Sequence, residues 1–214
     1  MTRSPLAFAL LAAAICLAWQ TATVEANYGG DWTALYCTGE LLPTPPALAA
    51  ENIYRFSGSL GYDGQFYHYI AHDPFFQRGL DRYVDAPRLR YRRILVPALA
   101  WLAGAGRFVD PAYFGVVLLF VFAGARWLAR CAMEQGRSPA WGLAFLVAPA
   151  TAVSVDRMTV DVALAALCCA FALNPRSRLV LALAALTRET GFLLAAASAA
   201  ASLAQRRFRD AAVA

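Results

Sequence analysis

The sequence contains no lysine, and its nineteen permanently positive side chains are all arginine. The absence of an amine excludes Schiff-base catalysis and the lysine of a phosphate-binding P-loop. Charged residues are also scarce, at 15% of the chain, whereas 60% of the residues are hydrophobic. An ordinary soluble domain of this size is less apolar, so we expect an integral membrane protein. The net charge of +5 does not indicate nucleic-acid binding, since several arginines flank apolar stretches, where membrane orientation explains them better.

Cysteine gives no sign of a disulfide framework or a zinc-ligand motif. The chain has five cysteines, an odd number, and only Cys37 lies in a polar stretch. The others lie in or beside apolar segments, at Cys16, Cys131, Cys168 and Cys169.

Long apolar segments predict an all-α, polytopic transmembrane helix bundle formed by one module, residues 1–214. Residues 5–24 are long enough to cross about 30 Å of hydrocarbon at about 1.5 Å per residue, so residues 1–24 are expected to form a first transmembrane helix or signal anchor. Cleavage after Ala26 is the alternative, since Val24-Glu25-Ala26 fits a signal-peptidase site. The remaining transmembrane helices are expected within residues 112–205, at 112–130, 140–155, 159–173 and a hairpin over 179–205 that turns at 187–190.

Between these segments lies a long loop, residues 25–111, with juxtamembrane helices expected near 64–72 and 94–106. The second of these is apolar but too short to span a bilayer. The arginines that can lie together in the cytoplasm are Arg3, Arg126, Arg130, Arg137, Arg176, Arg178, Arg206, Arg207 and Arg209. This arrangement places the long loop outside.

The loop gathers polar residues in the stretch GYDGQFYHYIAHDPF, residues 61–75. Asp63 precedes a helical pattern and is expected either to cap that helix or to act as a general base or metal ligand. His68 and His72 are four positions apart, so on a helix they share a face and could bind a divalent metal with Asp73 or Asp63. The simpler interpretation is an interfacial aromatic helix with two solvated histidines.

Arginines are concentrated between residues 78 and 93, on the expected outer side, where they oppose the usual orientation rule. Either they bind an anion, because guanidinium groups match phosphate oxygens, or they form surface ion pairs with nearby acids. Two further charged sites lie beside apolar segments. The first contains Asp156, Arg157 and Asp161, with Asp161 in the first turn of a helix capped by Thr159. The second is Arg188-Glu189, which forms either a mutual ion pair or a phosphate-binding arginine with a supporting acid.

The order of these motifs resembles the N-terminal module of membrane glycosyltransferases with the GT-C fold. YDGQFYHYIAHDPF, RYRRILVPALAWLA, DRMTVDVALAAL and LTRETG carry the match, which is closest to bacterial proteins similar to protein mannosyltransferases, GPI mannosyltransferases and the lipid A aminoarabinose transferase. The resemblance implies transfer of a sugar from a polyprenyl-phosphate donor at the extracytoplasmic face of a bacterial inner membrane.

The resemblance also implies roles for particular residues. Asp63 and Asp161 correspond to the catalytic acids, and Arg90, Arg93 and Arg188 to groups that bind the donor phosphate. Supporting positions are Tyr67, Asp156, Arg157 and Glu189. The resemblance assigns no cofactor; a divalent metal stays open, without a ligand set. Relatives have many more spanning helices, so we expect a further segment or chain to complete the transferase, or else a truncated, inactive relative. The alternative function is a non-catalytic membrane scaffold or lipid-phosphate-binding protein; a transporter is disfavoured because no inverted repeat is visible.

Overall fold

The computed structural model describes residues 4–213, with the backbone alone for residues 201–202 and 205–213. Arg3, one of the arginines used to orient the chain, lies outside the described residues, as do the side chains of Arg206, Arg207 and Arg209.

The described chain is mostly helical, which confirms the all-α expectation at that level. Its helices are α1 (Pro5–Tyr28), α2 (Asp63–His72), α3 (Pro87–Arg90), α4 (Leu95–Ala103), α5 (Val109–Glu134), α6 (Pro149–Arg157), α7 (Asp161–Leu173), α8 (Arg178–Ala185) and α9 (Gly191–Val213). Short 3-10 helices cover Trp32–Tyr36, Pro46–Glu51, Leu80–Tyr83, Tyr91–Arg93 and Pro139–Val147. Two very short strands, β1 (Thr38–Gly39) and β2 (Arg55–Phe56), pair in parallel within the loop.

Two of the described helices, α1 and α5, are long and apolar enough to cross a membrane. They pack against each other, and the start of α1 lies beside Arg126 and Arg130 in the C-terminal half of α5. The two helices are therefore antiparallel, and the long loop that joins them lies at the N-terminal end of α5.

The segment expected as a helix at 140–155 is bent instead. The 3-10 helix Pro139–Val147 and helix α6 meet at an angle of 59°, and together they count as a third span at most. The break falls at Ala148, which is extended because the following residue, Pro149, disfavours the helical conformation before it. Helix α7 has only 13 residues, fewer than a straight span requires.

The expected hairpin at 179–205 consists of two helices separated by a turn. Helix α8 ends at Ala185 and α9 begins at Gly191, so the break includes the predicted turn residues, 187–190. Close packing explains the glycine, because a Cβ atom on Gly191 would overlap the carbonyl of Ala184.

Helix α2 is the central element of the loop and is buried from Gly64 to His72. It packs against α4 and α5, so its aromatic residues form part of the core. The expectation that the two histidines of α2 are solvated is therefore wrong.

Candidate functional site

Asp63, the first residue of α2, pairs with a guanidinium group. Its carboxylate accepts a hydrogen bond from Nη2 of Arg90 at 2.8 Å, and Nη1 of the same arginine lies 2.6 Å from its other oxygen in an ion pair. The two contacts together restrict the direction of both planar groups. The predicted capping role is wrong, since the residue at the N-cap position is Tyr62 and no side chain caps the helix.

A second carboxylate, from Asp85, holds the same arginine. Nε and Nη2 of Arg90 each donate to Asp85 at 2.9 Å, and the guanidinium lies over the ring of Phe66. These bonds from Arg90 lower the pKa of Asp85. Burial alone would lower the pKa of Arg90, but the carboxylates outweigh burial and raise it, so the group stays charged. Arg90 therefore joins Asp63 to Asp85 as a charged group.

Tyr67 connects this arginine to the next one. Its hydroxyl oxygen accepts a hydrogen bond from Nη1 of Arg93 at 3.0 Å, and Nη1 of Arg90 lies at 3.5 Å. Arg93 also donates from Nε and Nη2 to Glu189, with a shortest distance of 2.9 Å. Burial would raise the pKa of Glu189, but these bonds from Arg93 lower it. The turn between α8 and α9 is thus attached to the long loop.

Arg188 contributes the last pair. It does not pair with its neighbour Glu189, so the predicted mutual ion pair is wrong. Instead, its Nη1 atom contacts the carboxylate of Asp161 in the first turn of α7. That helix is not capped by Thr159: the residue at the cap is Val160, and the hydroxyl of Ser154 accepts from the amide of Val162.

These contacts form two sets of groups, the pair Arg188–Asp161 and the remaining six residues, which meet because Arg188 and Glu189 are adjacent in the chain; together we call them the acid–arginine network. Its members are Asp63, Tyr67, Asp85, Arg90, Arg93, Asp161, Arg188 and Glu189. Helix α2 also approaches the end of α6, because a Cβ atom on Gly64 would overlap the carbonyl of Arg157. The structure thus brings Asp63 and Asp161 to the same end of the antiparallel pair α1 and α5.

The two remaining predicted support residues lie at the edge of this region and are exposed. Asp156 accepts a hydrogen bond from the indole nitrogen of Trp19 at 2.7 Å. The guanidinium of Arg157 lies over the ring of Tyr62. Neither of these contacts involves a member of the acid–arginine network. Asp156 and Arg157 therefore resemble exposed interfacial residues.

The two histidines lie elsewhere. His68 and His72 face Glu51 and Asp110, and not the predicted partners Asp73 or Asp63. The carboxylate of Asp73 instead accepts from backbone amides of the segment that follows it, at Gln77, Arg78 and Leu80.

Sequence reasoning missed Glu51 and Asp110, whereas the pair Arg90–Asp85 agrees with the alternative that these arginines form ion pairs with nearby acids, although it was not specified. Asp85 and Arg90 are separated by about one and a half helical turns, but the intervening Pro87 starts a new helix, so helical spacing could not pair them. Asp110 gave no distinctive signal, because an acid in the first turn of a helix is common and is favoured by the helix dipole.

Comparison with known proteins gives no match to this chain: no protein-family model, no curated protein and no solved structure is significantly similar.

Proposed function

We propose that this protein is a membrane glycosyltransferase, or the N-terminal module of one, with a GT-C-like polytopic bundle. It would transfer a sugar from a polyprenyl-phosphate donor to an acceptor at the extracytoplasmic face of a bacterial inner membrane. The observation that supports this most is the acid–arginine network, in which two acids distant in sequence, Asp63 and Asp161, each pair with an arginine at one end of α1 and α5.

The chemistry of such a reaction requires a base on the acceptor side. Deprotonating an acceptor hydroxyl with a positioned carboxylate contributes about 10²- to 10⁴-fold in rate. Asp63 suits this role because its side chain is 42% exposed while Arg90 fixes its direction. An acceptor can therefore reach a carboxylate that is already oriented.

The donor side requires cations, because charge develops on the departing phosphate. Arg93 and Arg188 would supply them, and the side chain of Arg188 is 35% exposed. Each now bonds a carboxylate, so donor phosphate would compete with Glu189 for Arg93 and with Asp161 for Arg188. Guanidinium groups suit this exchange, since they bind carboxylate and phosphate in the same bidentate geometry.

A lipid-phosphate-binding or scaffold protein without catalysis is the second candidate. The observation in its favour is that each arginine of the network already has a carboxylate partner. Ion pairs of this kind also occur where they only hold elements together.

The experiment compares Asp63→Asn with Asp85→Asn, since each removes one charge from the same arginine. Membranes containing the full chain are incubated with radiolabelled polyprenyl-phosphate mannose, glucose, arabinose and aminoarabinose, and transfer to endogenous acceptors is measured. We expect Asp63→Asn to reduce the rate by roughly 10²- to 10⁴-fold. Asp85→Asn should reduce it by less than about tenfold, the equivalent of roughly 1.4 kcal/mol.

Immunoblotting and size-exclusion chromatography control for the amount and folding of both variants. Equal losses in two folded variants would mean that the network is structural. Wild-type membranes that transfer none of these sugars, yet retain the labelled donor, would favour the lipid-phosphate-binding candidate.

A further inference from the structure

A second group of ionisable side chains lies on a different face of α2. It consists of Glu51, His68, His72 and Asp110, which we call the His–acid cluster. Each residue offers one nitrogen or oxygen atom, and these atoms all lie within 4.8 Å of one another. They come from three parts of the fold: the short helix that ends at Glu51, α2, and the first turn of α5.

The histidine–carboxylate distances within the cluster are close to the separation expected between the ligands of one metal ion. Nε2 of His68 lies 2.9 Å from Asp110 Oδ1 and 3.5 Å from Glu51 Oε2. His72 lies 3.2 Å from Asp110 Oδ1 through Nε2 and 3.4 Å from Glu51 Oε1 through Nδ1, and only one of these ring nitrogens can bind the shared ion. Ligands at about 2.0 to 2.1 Å from a zinc ion stand roughly 3.3 Å apart at the corners of a tetrahedron.

Burial makes the charge of the cluster costly. The side chain of His68 is fully buried, that of His72 is 8% exposed, and Asp110 and Glu51 are 20% and 28% exposed. With neutral histidines the cluster carries two negative charges, which a divalent cation would neutralise.

His68 does not use its nitrogen as a hydrogen-bond donor. Although Nε2 lies 2.9 Å from Asp110, it is not aligned for a hydrogen bond with that oxygen, and Glu51 Oε2 also has no hydrogen bond. Buried polar atoms are nearly always paired in proteins. A fully buried imidazole nitrogen and a carboxylate oxygen that converge without bonding leave a place for an ion.

The surroundings of the cluster also fit a metal centre. The hydroxyl of Tyr36 donates to Asp110 Oδ1 at 3.2 Å, and its ring stacks on His68 with centroids 4.0 Å apart. Outer contacts of this kind orient the ligands of metal sites. The set has no sulfur ligand, and imidazole together with carboxylate suits zinc or a similar transition metal better than magnesium or calcium.

We propose that Glu51, His68, His72 and Asp110 bind one divalent transition-metal ion of the zinc type. The ion joins the loop, α2 and α5, so it is a structural centre with four protein ligands. Its position on α2 also fixes the helix that carries Asp63 and Tyr67, but the proposal does not depend on the transferase reaction.

The test uses the full chain, purified in detergent with a tag that contains no histidine. We expect about one equivalent of metal by mass spectrometry after exchange into Zn²⁺ and removal of the excess, a single site of the structural class. Cobalt substitution should give the visible absorption of four-coordinate Co²⁺. Chelation should lower the melting temperature, and added Zn²⁺ should restore it.

Two conservative variants test the ligand set. Glu51→Gln should reduce Zn²⁺ affinity, whereas Glu40→Gln, an exposed acid in the same loop, should leave affinity unchanged. Tyr36→Phe keeps the stacked ring but loses the hydroxyl, and it should weaken Zn²⁺ binding by roughly 10- to 100-fold, the usual cost of an outer-shell contact.

Tyr36→Phe also serves if Glu51→Gln does not fold, since it leaves all four ligands in place. A folded wild-type chain that retains no metal after Zn²⁺ loading would overturn the proposal. Binding that is the same in Glu51→Gln as in wild type would overturn it as well, and the cluster would then be a set of histidine–carboxylate ion pairs.

Discussion

At the scale of single residues, Arg93 shows how the long loop is attached to the turn between α8 and α9. Its side chain is 9% exposed, and its guanidinium bonds both the hydroxyl of Tyr67 and the carboxylate of Glu189. An arginine buried to this extent depends on its partners, because an unpaired charge away from water is costly. Glu189 is therefore the residue whose protonation should matter most for this contact.

The pH dependence of this contact can be predicted from the lowered pKa of Glu189. A carboxyl group whose pKa is lower in the folded state stabilises the fold above its ordinary value and loses that contribution as the pH falls. We expect Glu189→Gln to lower the melting temperature in detergent near about pH 7 and to have less effect near about pH 4. The exposed Glu25 provides the control, as Glu25→Gln should change the melting temperature little at either pH. A pH-independent difference for Glu189→Gln would contradict this account.

Sequence identified most residues of the network but not their pairing. Asp63, Arg90, Arg93, Asp161 and Arg188 stand out because charges are scarce in this chain. Their partners depend on tertiary structure: adjacent residues in a turn point to different neighbours, so Arg188 and Glu189 bind different groups. Whether the network performs chemistry stays a prediction.

At the scale of elements, α2 is important because it contributes residues to both the acid–arginine network and the His–acid cluster. Tyr67 faces the arginines, and the adjacent His68 faces Asp110, as expected for successive helical positions about 100° apart. The start of α2 is fixed by close approach to α6, since Gly64 leaves no room for a side chain beside Arg157. A shift of α2 would therefore displace both sites.

Gly64→Ala tests this dependence. The added methyl group would overlap the carbonyl oxygen of Arg157, and backbone cannot move aside as a flexible side chain can. Overpacking of this kind costs about 1 to 3 kcal/mol, so we expect a clearly lower melting temperature in detergent. The matched control is Gly115→Ala in α5, where nothing lies within 4 Å of the new Cβ atom. Equal melting temperatures for the two variants would show that the approach of α2 to α6 is not tight.

Hydropathy predicted the positions of elements well but not their continuity. The expected helices near 64–72 and 94–106 correspond to α2 and α4, because amphipathic or apolar runs of that length favour short helices. The bend at Ala148 was not predicted, although a proline at 149 was a visible signal for it.

At the scale of the whole molecule, charge is distributed unequally between the two ends of α5. The acid–arginine network and the His–acid cluster lie near its start, where Asp110 contacts the histidines. Its other end carries Arg126 and Arg130 beside the start of α1, and Arg137 follows. Helix α5 has 26 residues and at about 1.5 Å per residue extends about 39 Å, enough to separate the two ends across a bilayer.

We expect the end of α5 that carries Arg126 and Arg130 to lie on the cytoplasmic side, because arginines that flank a spanning helix favour that side. In cells that express a variant with its own cysteines replaced by alanine, a thiol at Leu60, which is 62% exposed, should react with a membrane-impermeant maleimide from outside. A thiol at Gln135, just beyond the end of α5, should react only after the membrane is opened. Permeabilised cells control for reactivity, since both thiols should then be labelled equally. The reverse pattern would put Asp63 and its arginines in the cytoplasm, where a donor presented on the outer leaflet could not reach them, and the transferase proposal would fail with the topology.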